Sequence, residues 1–257
     1  VSSLRDRSWI VSLAFALLVI AGWQALTAAK ALPVYVYGPA QIVSASIDMA
    51  QSGRLAAQLG PSLIRALSGF AIGGTAGVLL GLLAGVSRTF RDLFDLPQSF
   101  THSIPKIALF PAVAVALGFT DNARILIIAI SCFYPAYLNA LNGALGMNPR
   151  LIWVAHNAGA SRLRTFFQIV VPASLPRTLV GLRISLMVAF VLMVATEVVG
   201  FSNGLGAGLI VAYRNNDYGA MYAGIAAIAV SGLVATSILQ VVSQRLCRGR
   251  AVDGIVG

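Results

Sequence analysis

The 257 residues hold two cysteines, two histidines, two lysines and one glutamate, and charged side chains make up 10% of the chain. Each shortage removes a class of function. Cys132 sits inside an apolar run and Cys247 in a basic tail, so no disulfide is expected, and neither spacing fits a redox or metal motif. His102 and His156 lie far apart, with no Cys/His or carboxylate cluster beside them, so no metal or hydrolytic site is expected. Lys30 and Lys106 do not follow a glycine-rich loop, which leaves the chain without the phosphate cradle of an ATP site. The net charge of +10 comes from arginines scattered at the ends of apolar runs. Without a dense basic face or paired strand aromatics, nucleic acid is not the expected partner.

What the chain has is grease. Hydrophobic residues make up 58% of it and the mean hydropathy is +0.85, a composition suited to a bilayer rather than to water. An all-α polytopic membrane protein is expected, in contact with lipid along most of its length. A crossing takes roughly 20 mainly apolar residues. About six candidates are present: Trp9 to Thr27, Ser62 to Val86, Ile104 to Phe119, Arg124 to Ala144, Thr178 to Gly200 and Met221 to Ser243. The first has no small-residue cleavage signal after it and is expected to be retained. The third is short and carries Pro105 and Pro111.

Six crossings put both termini on one side. On that side fall 13 basic residues, Lys106 among them, against 5 opposite (Lys30, Arg54, Arg65, Arg124 and Arg214), so the termini are expected in the cytoplasm. Between the first two spans, Lys30 to Pro61 reads as an external interfacial elbow, with Tyr35 and Tyr37 at headgroup depth.

Within the spans three features stand out. Gly69, Gly73, Gly77, Gly81 and Gly85 recur every four residues, a smooth strip on which another helix can pack closely. Ser131, Tyr134 and Asn139 interrupt the fourth run around Pro135. Polar groups at that depth face other helices or a water-filled path. With Thr196 and Glu197 they form the candidate lining of such a path. Glu197 closes the 13-residue uncharged run from Ile184. It is expected to pair with Arg214 or Arg124, or to cap the loop Ser202-Asn203-Gly204-Leu205-Gly206.

The long amphipathic segment from Asn148 to Gly181 differs from everything around it. Asn148 suits an N-cap and Pro149 a first helical position, with Leu151, Val154, Ala155 and Ala158 at three-and-four spacing. Gly159 ends this helix. Ser161 caps a second, whose apolar side is Leu163, Phe166, Phe167 and Val170, and Pro172 is expected to stop it. On spacing alone such a segment also fits a helix lying on the membrane surface.

Gly159, nine intervening residues and Ile169-Val170-Val171-Pro172 resemble the EAA loop of permease subunits of bacterial ATP-binding-cassette (ABC) importers. Ala155 matches that pattern, while Trp153 and Val154 stand where the family has Glu and Ala, and Val171 replaces Leu. Further along, Leu175-Pro176, Gly181-Leu182-Arg183-Ile184, Glu197-Val198-Val199-Gly200 and Gly204-Leu205-Gly206 follow in the order seen in permeases of the nitrate, sulfonate, taurine and bicarbonate group. The resemblance runs from about Pro33 to Arg245.

It implies a type I importer permease fold in one domain, 1–257: an N-terminal span 1–30, an external elbow 31–61, a core 62–243 with a coupling loop at 148–177, and a cytoplasmic tail 244–257. It implies a coupling site of Trp153, Val154, Ala155, His156, Ala158, Gly159, Ala160, Ser161, Arg162 and Pro172. The implied partners are a second copy or a paralogous permease, two cytoplasmic ATP-binding subunits that use ATP and magnesium, and a periplasmic or lipid-anchored solute-binding protein. The implied place is a bacterial inner membrane, and the chain itself catalyses nothing. The rival reading is an ion-coupled secondary transporter, which usually carries titratable groups deep in its spans.

Overall fold

The computed structural model describes residues 2–93, 104–200 and 203–247, with side chains from residue 10 onward except that of His156. Among these residues there is no strand. The chain runs α1 (Ser2–Ala28), α2 (Pro39–Gln51), α3 (Arg54–Val86), α4 (Lys106–Leu117), α5 (Asp121–Leu145), α6 (Pro149–Asn157), α7 (Arg162–Gly200), α8 (Leu205–Arg214) and α9 (Tyr218–Leu246). Among the described residues five of these are long and apolar enough to cross a membrane: α1, α3, α5, α7 and α9.

The glycine strip decides how α3 and α5 meet. Gly69 lies against Ile128, Gly73 against Ala129, Gly77 against Ala136, Gly81 against Ala140 and Gly85 against Ala144. A Cβ on Gly73 would overlap the Ala129 carbonyl, so the backbones touch where side chains would normally stand. Both residue numbers climb together along the seam, which means that α3 and α5 run parallel. The link between them must therefore bring the chain back across the bilayer.

That return corrects the expectation of one span from Ile104 to Phe119. α4 is a four-residue 3-10 turn, Lys106–Leu109, followed by eight residues of α-helix, too short to cross alone. It lies antiparallel to the first half of α5, with Phe110 and Ala114 packed on Ile127 and Ala123. Pro105 caps its start in an extended conformation and Gly118, at φ 74°, ends it. Residues 94–103, which precede it, lie outside the described residues.

α7 returns antiparallel to α5. The Ser185 hydroxyl donates to the Cys132 carbonyl at 2.8 Å, and Gly143 packs on Ser174. Together α3, α5 and α7 form the core, around Ala66, Ile128, Cys132, Leu186, Ala189 and Met193. α1 and α9 stand outside it, with Phe15, Leu18 and Leu233 about two-thirds exposed. Such faces suit lipid.

Several boundaries move. α3 begins at Arg54, ahead of the expected Ser62, and takes Pro61 inside it. The elbow is thus shorter than 31–61: α2 packs on the start of α9, where Tyr37 stacks on Tyr222 with ring centroids 5.8 Å apart. α8 was not foreseen in the run after Gly204. The tail beyond Cys247 lies outside the described residues.

Candidate functional site

At one end of the bundle the chain makes the expected helix, turn and helix. The Asn148 side chain accepts from the Arg150 N–H at 3.0 Å, with Pro149 opening α6. At its far end the Ala160 N–H donates to the Ala155 carbonyl at 3.0 Å and Gly159 takes φ +77°, a left-handed stop that glycine adopts without strain. Ser161 then caps α7, its hydroxyl accepting from the Arg164 N–H at 3.3 Å. A Cβ on Gly159 would meet nothing within 4 Å, so the glycine serves the turn and not a close contact within the chain.

Pro172 does not end the second helix, contrary to the expectation. The helix widens into a π turn at Phe166–Val170 and continues to Gly200. A proline ring normally strikes the carbonyl four residues back, and the wider turn moves that carbonyl aside. The second helix of the elbow is therefore continuous with a membrane-spanning helix. Of the residues expected in the coupling site, Ala155 is buried, whereas Trp153 and Val154 are 67% and 66% exposed. Leu163 and Phe167, at 70% and 61%, are further exposed apolar side chains of the elbow. Ala158, Gly159, Ser161 and Arg162 are exposed as well, and Ala160 is half-buried. His156 lies in α6, but its side chain is outside the described residues.

Midway along the bundle a cavity of about 450 Å³ opens between α4, α5 and α7, lined by Lys106, Ser131, Tyr134 and Pro135 and by apolar residues of α7 from Ile184 to Ala195. Ser131 and Tyr134 reach it. Asn139 instead donates to the Pro135 carbonyl at 2.8 Å and packs on Gly181, while Thr196 is buried and bonds back to the Leu192 carbonyl at 2.8 Å. Lys106 was counted among the basic residues of the cytoplasmic face. The structure corrects this: its ammonium stands 6.0 Å from the Tyr134 ring centroid, and Tyr134 lies 13 residues into α5.

At the opposite end Glu197 sits fully buried in an ionic cluster. Its carboxylate takes the Arg65 guanidinium at 2.6 Å, the Ser62 hydroxyl at 2.8 Å and the Gly206 N–H at 2.9 Å. Arg65 reaches on to Asp121 at 2.8 Å, and Arg124 joins at 3.2 Å. Of the expected partners, the loop is indeed capped, and Arg124 belongs to the cluster through Asp121. The direct ion-pair partner is Arg65, not Arg214. Sequence missed Arg65 because its surroundings read as a span edge, where arginines snorkel. The signal was its place one helical turn from Ser62 on the face opposite the glutamate.

A family model described as the binding-protein-dependent transport system inner membrane component matches residues 77–248. The chain belongs to that family. Bacillus subtilis SsuC, named for aliphatic sulfonate transport as a permease, is 30% identical over 251 residues, spanning 96% of this chain and 90% of that one. The taurine transport system permease TauC of Escherichia coli K12 is 27% identical over 236 residues, 90% of this chain and 86% of that protein. Among solved structures, an inward-facing form of the MetNI methionine ABC transporter aligns with a TM-score of 0.52 at 22% identity, over 74% of this chain and 90% of that one. The last likeness speaks for the fold alone, that of a type I importer permease. The relatives are transport permeases, and the chain is an integral membrane protein of this kind. They do not favour the secondary-transporter alternative.

Proposed function

We propose that this family member is the membrane-spanning permease subunit of an ATP-driven ABC importer, moving a small anion such as a sulfonate, taurine, nitrate or bicarbonate. It pairs with a second copy or a paralogue. Two cytoplasmic ATP-binding subunits, which hold the ATP and magnesium, grip the elbow from Pro149 to Pro172. A periplasmic or lipid-anchored binding protein delivers the solute to the Glu197 end, and both termini face the cytoplasm of a bacterial inner membrane. This chain contributes no catalytic group. Differential binding between subunits, rather than bond chemistry here, biases the inward- and outward-open states.

The observation that carries this reading is the exposed apolar elbow, Trp153, Val154, Leu163 and Phe167, leading directly into a spanning helix at the end opposite the ionic cluster. Apolar side chains exposed in such numbers mark a contact surface, and the family resemblance of the loop favours a protein partner over the membrane surface. Tagged chain purified in mild detergent should retain a nucleotide-hydrolysing subunit, and Trp153→Asp should lose it while inserting normally. Solute uptake by ATP-free vesicles under an ion gradient, with no such subunit attached, would overturn the proposal.

A further inference from the structure

Beyond the ionic cluster, where α2, α3, α8 and α9 converge, two adjoining cavities of about 420 and 360 Å³ share Arg54, Asp217 and Ala220. Arg54 opens α3 after Gly53, whose left-handed φ of 73° turns the chain out of α2. At a rise of about 1.5 Å per residue it lies roughly 16 Å before Arg65 along that helix, outside the buried cluster. Asp217 caps α9, its carboxylate accepting from the Ala220 N–H at 3.0 Å. The Arg54 and Asp217 side chains approach to 3.9 Å, with 56% and 49% of their surface exposed. At that separation they make no hydrogen bond, and an exposed pair of this kind adds little to stability.

The smaller cavity carries charge of both signs. Asp48 of α2 joins Asp217 and Arg54 in its wall, together with Gln41, Ser44 and Tyr37. Tyr37 is held by stacking on Tyr222, and an aromatic ring beside carboxylates favours an ammonium. Two carboxylates against one guanidinium leave this wall one charge negative, which opposes a simple oxyanion such as nitrate. The larger cavity continues from Arg54 past the Gln58 and Asn215 amides, whose N–H groups suit an anionic head. Its far wall includes Gly204, where a Cβ would overlap the Glu197 carboxylate. The cavities therefore lie immediately outside the ionic cluster.

We propose that these cavities form an entry site for a small zwitterion, its sulfonate or carboxylate on Arg54 and its ammonium between Asp48 and Asp217. The two charges of such a ligand replace the loose contact between Arg54 and Asp217 with closer ones. Ser52 steadies the guanidinium, accepting from its Nε–H at 3.2 Å, and the planar fork can grip an anionic group with two N–H donors. This rests on the permease reading, in which this end receives the solute, and it narrows the solutes named there to those bearing both charges, amino sulfonates ahead of nitrate or bicarbonate. The phosphoethanolamine headgroup of a membrane lipid carries the same pair of charges, so the test separates lipid from free solute.

The test uses the full chain in lipid nanodiscs and measures equilibrium binding of radiolabelled taurine, an amino sulfonate, with ethanesulfonate and nitrate as competitors. Saturable binding that neither competitor displaces is expected. Arg54→Gln and Asp48→Asn should each weaken it about tenfold, the scale of hydrogen bonds to a charged group. Both variants should melt at the native temperature, because the residues replaced are exposed. No saturable binding, displacement by ethanesulfonate as readily as by taurine, or either variant binding like the native chain would overturn the proposal. Nanodiscs of phosphatidylglycerol are compared with and without added phosphatidylethanolamine. Equal affinity is expected, and loss of taurine binding with the added lipid would assign the site to a headgroup and overturn the solute site. The binding needs no ATPase, so a chain that binds taurine in this way yet retains no nucleotide-hydrolysing subunit would sink the importer reading and leave the site standing. ATP-driven uptake without such binding would do the reverse.

Discussion

At one end of the bundle Arg65 and Glu197 meet with side chains 1% and 0% exposed, while at the other Trp153, Val154, Leu163 and Phe167 are 61–70% exposed. The first end satisfies most of its polar groups internally, although the buried Arg124 Nε has no hydrogen-bond partner among the described residues. Ser62, Gly206, Asn203 and Asp121 complete the hydrogen bonds that two buried charges require, binding α3, α5, α7 and the start of α8 together. The second end leaves apolar surface unsatisfied on a short, well-capped elbow. One end is held by contacts the chain makes with itself, and the other is finished only by something else. That division suits a protein whose motion is imposed at the elbow and resisted, or gated, at the cluster.

The comparison breaks most readily at Glu197. Glu197→Gln leaves the Arg65 guanidinium buried against Asp121, which is 59% exposed, and removing one partner of such a pair costs about 3 kcal/mol. A clearly lowered melting temperature in detergent is expected. Replacing both partners, as Arg65→Met with Glu197→Leu, should recover much of the loss, because no uncompensated charge remains. A single variant as stable as the native chain would show that the cluster is not a lock.

At the elbow the effects on stability should be smaller. Gly159→Val forces a branched side chain into a left-handed conformation and should cost about 1–2 kcal/mol, although a Cβ there has open space. The signature is a fall in coupled ATPase activity larger than the modest drop in melting temperature. The smallest change is expected for Trp153→Ser, within about 0.5 kcal/mol of the native stability, since the residue is 67% exposed. Measured by thermal melting beside a partner pull-down, it should lose the partner and keep the fold. A large loss of stability would mean that the indole packs inside the chain after all.

Much of the elbow was legible in sequence because caps and stops are local. Asn148, Pro149, Gly159 and Ser161 each act on backbone within a few residues, and each does so in the structure. The glycine strip was legible as a packing face, since a four-residue repeat lies on one side of any helix. Pro172 misled because the rule that proline breaks helices holds for regular α geometry, and the π turn before it is not regular. The third crossing was blurred by Pro105, Pro111 and Gly118, which divide a run whose apolar composition alone suggests one helix.

Sequence by itself determined that this chain lives in a bilayer, that it is built of helices, and where many of them start and stop, because hydropathy, capping and glycine spacing act over one turn or one span. Only the tertiary structure decided that Arg65 would find Glu197 across 132 residues, and that Lys106 would stand at mid-depth beside Tyr134 rather than at a membrane face. Such pairings depend on the order, direction and rotation of helices packed against one another. No local pattern encodes them, since a helix turned by one residue presents a different face to its neighbours.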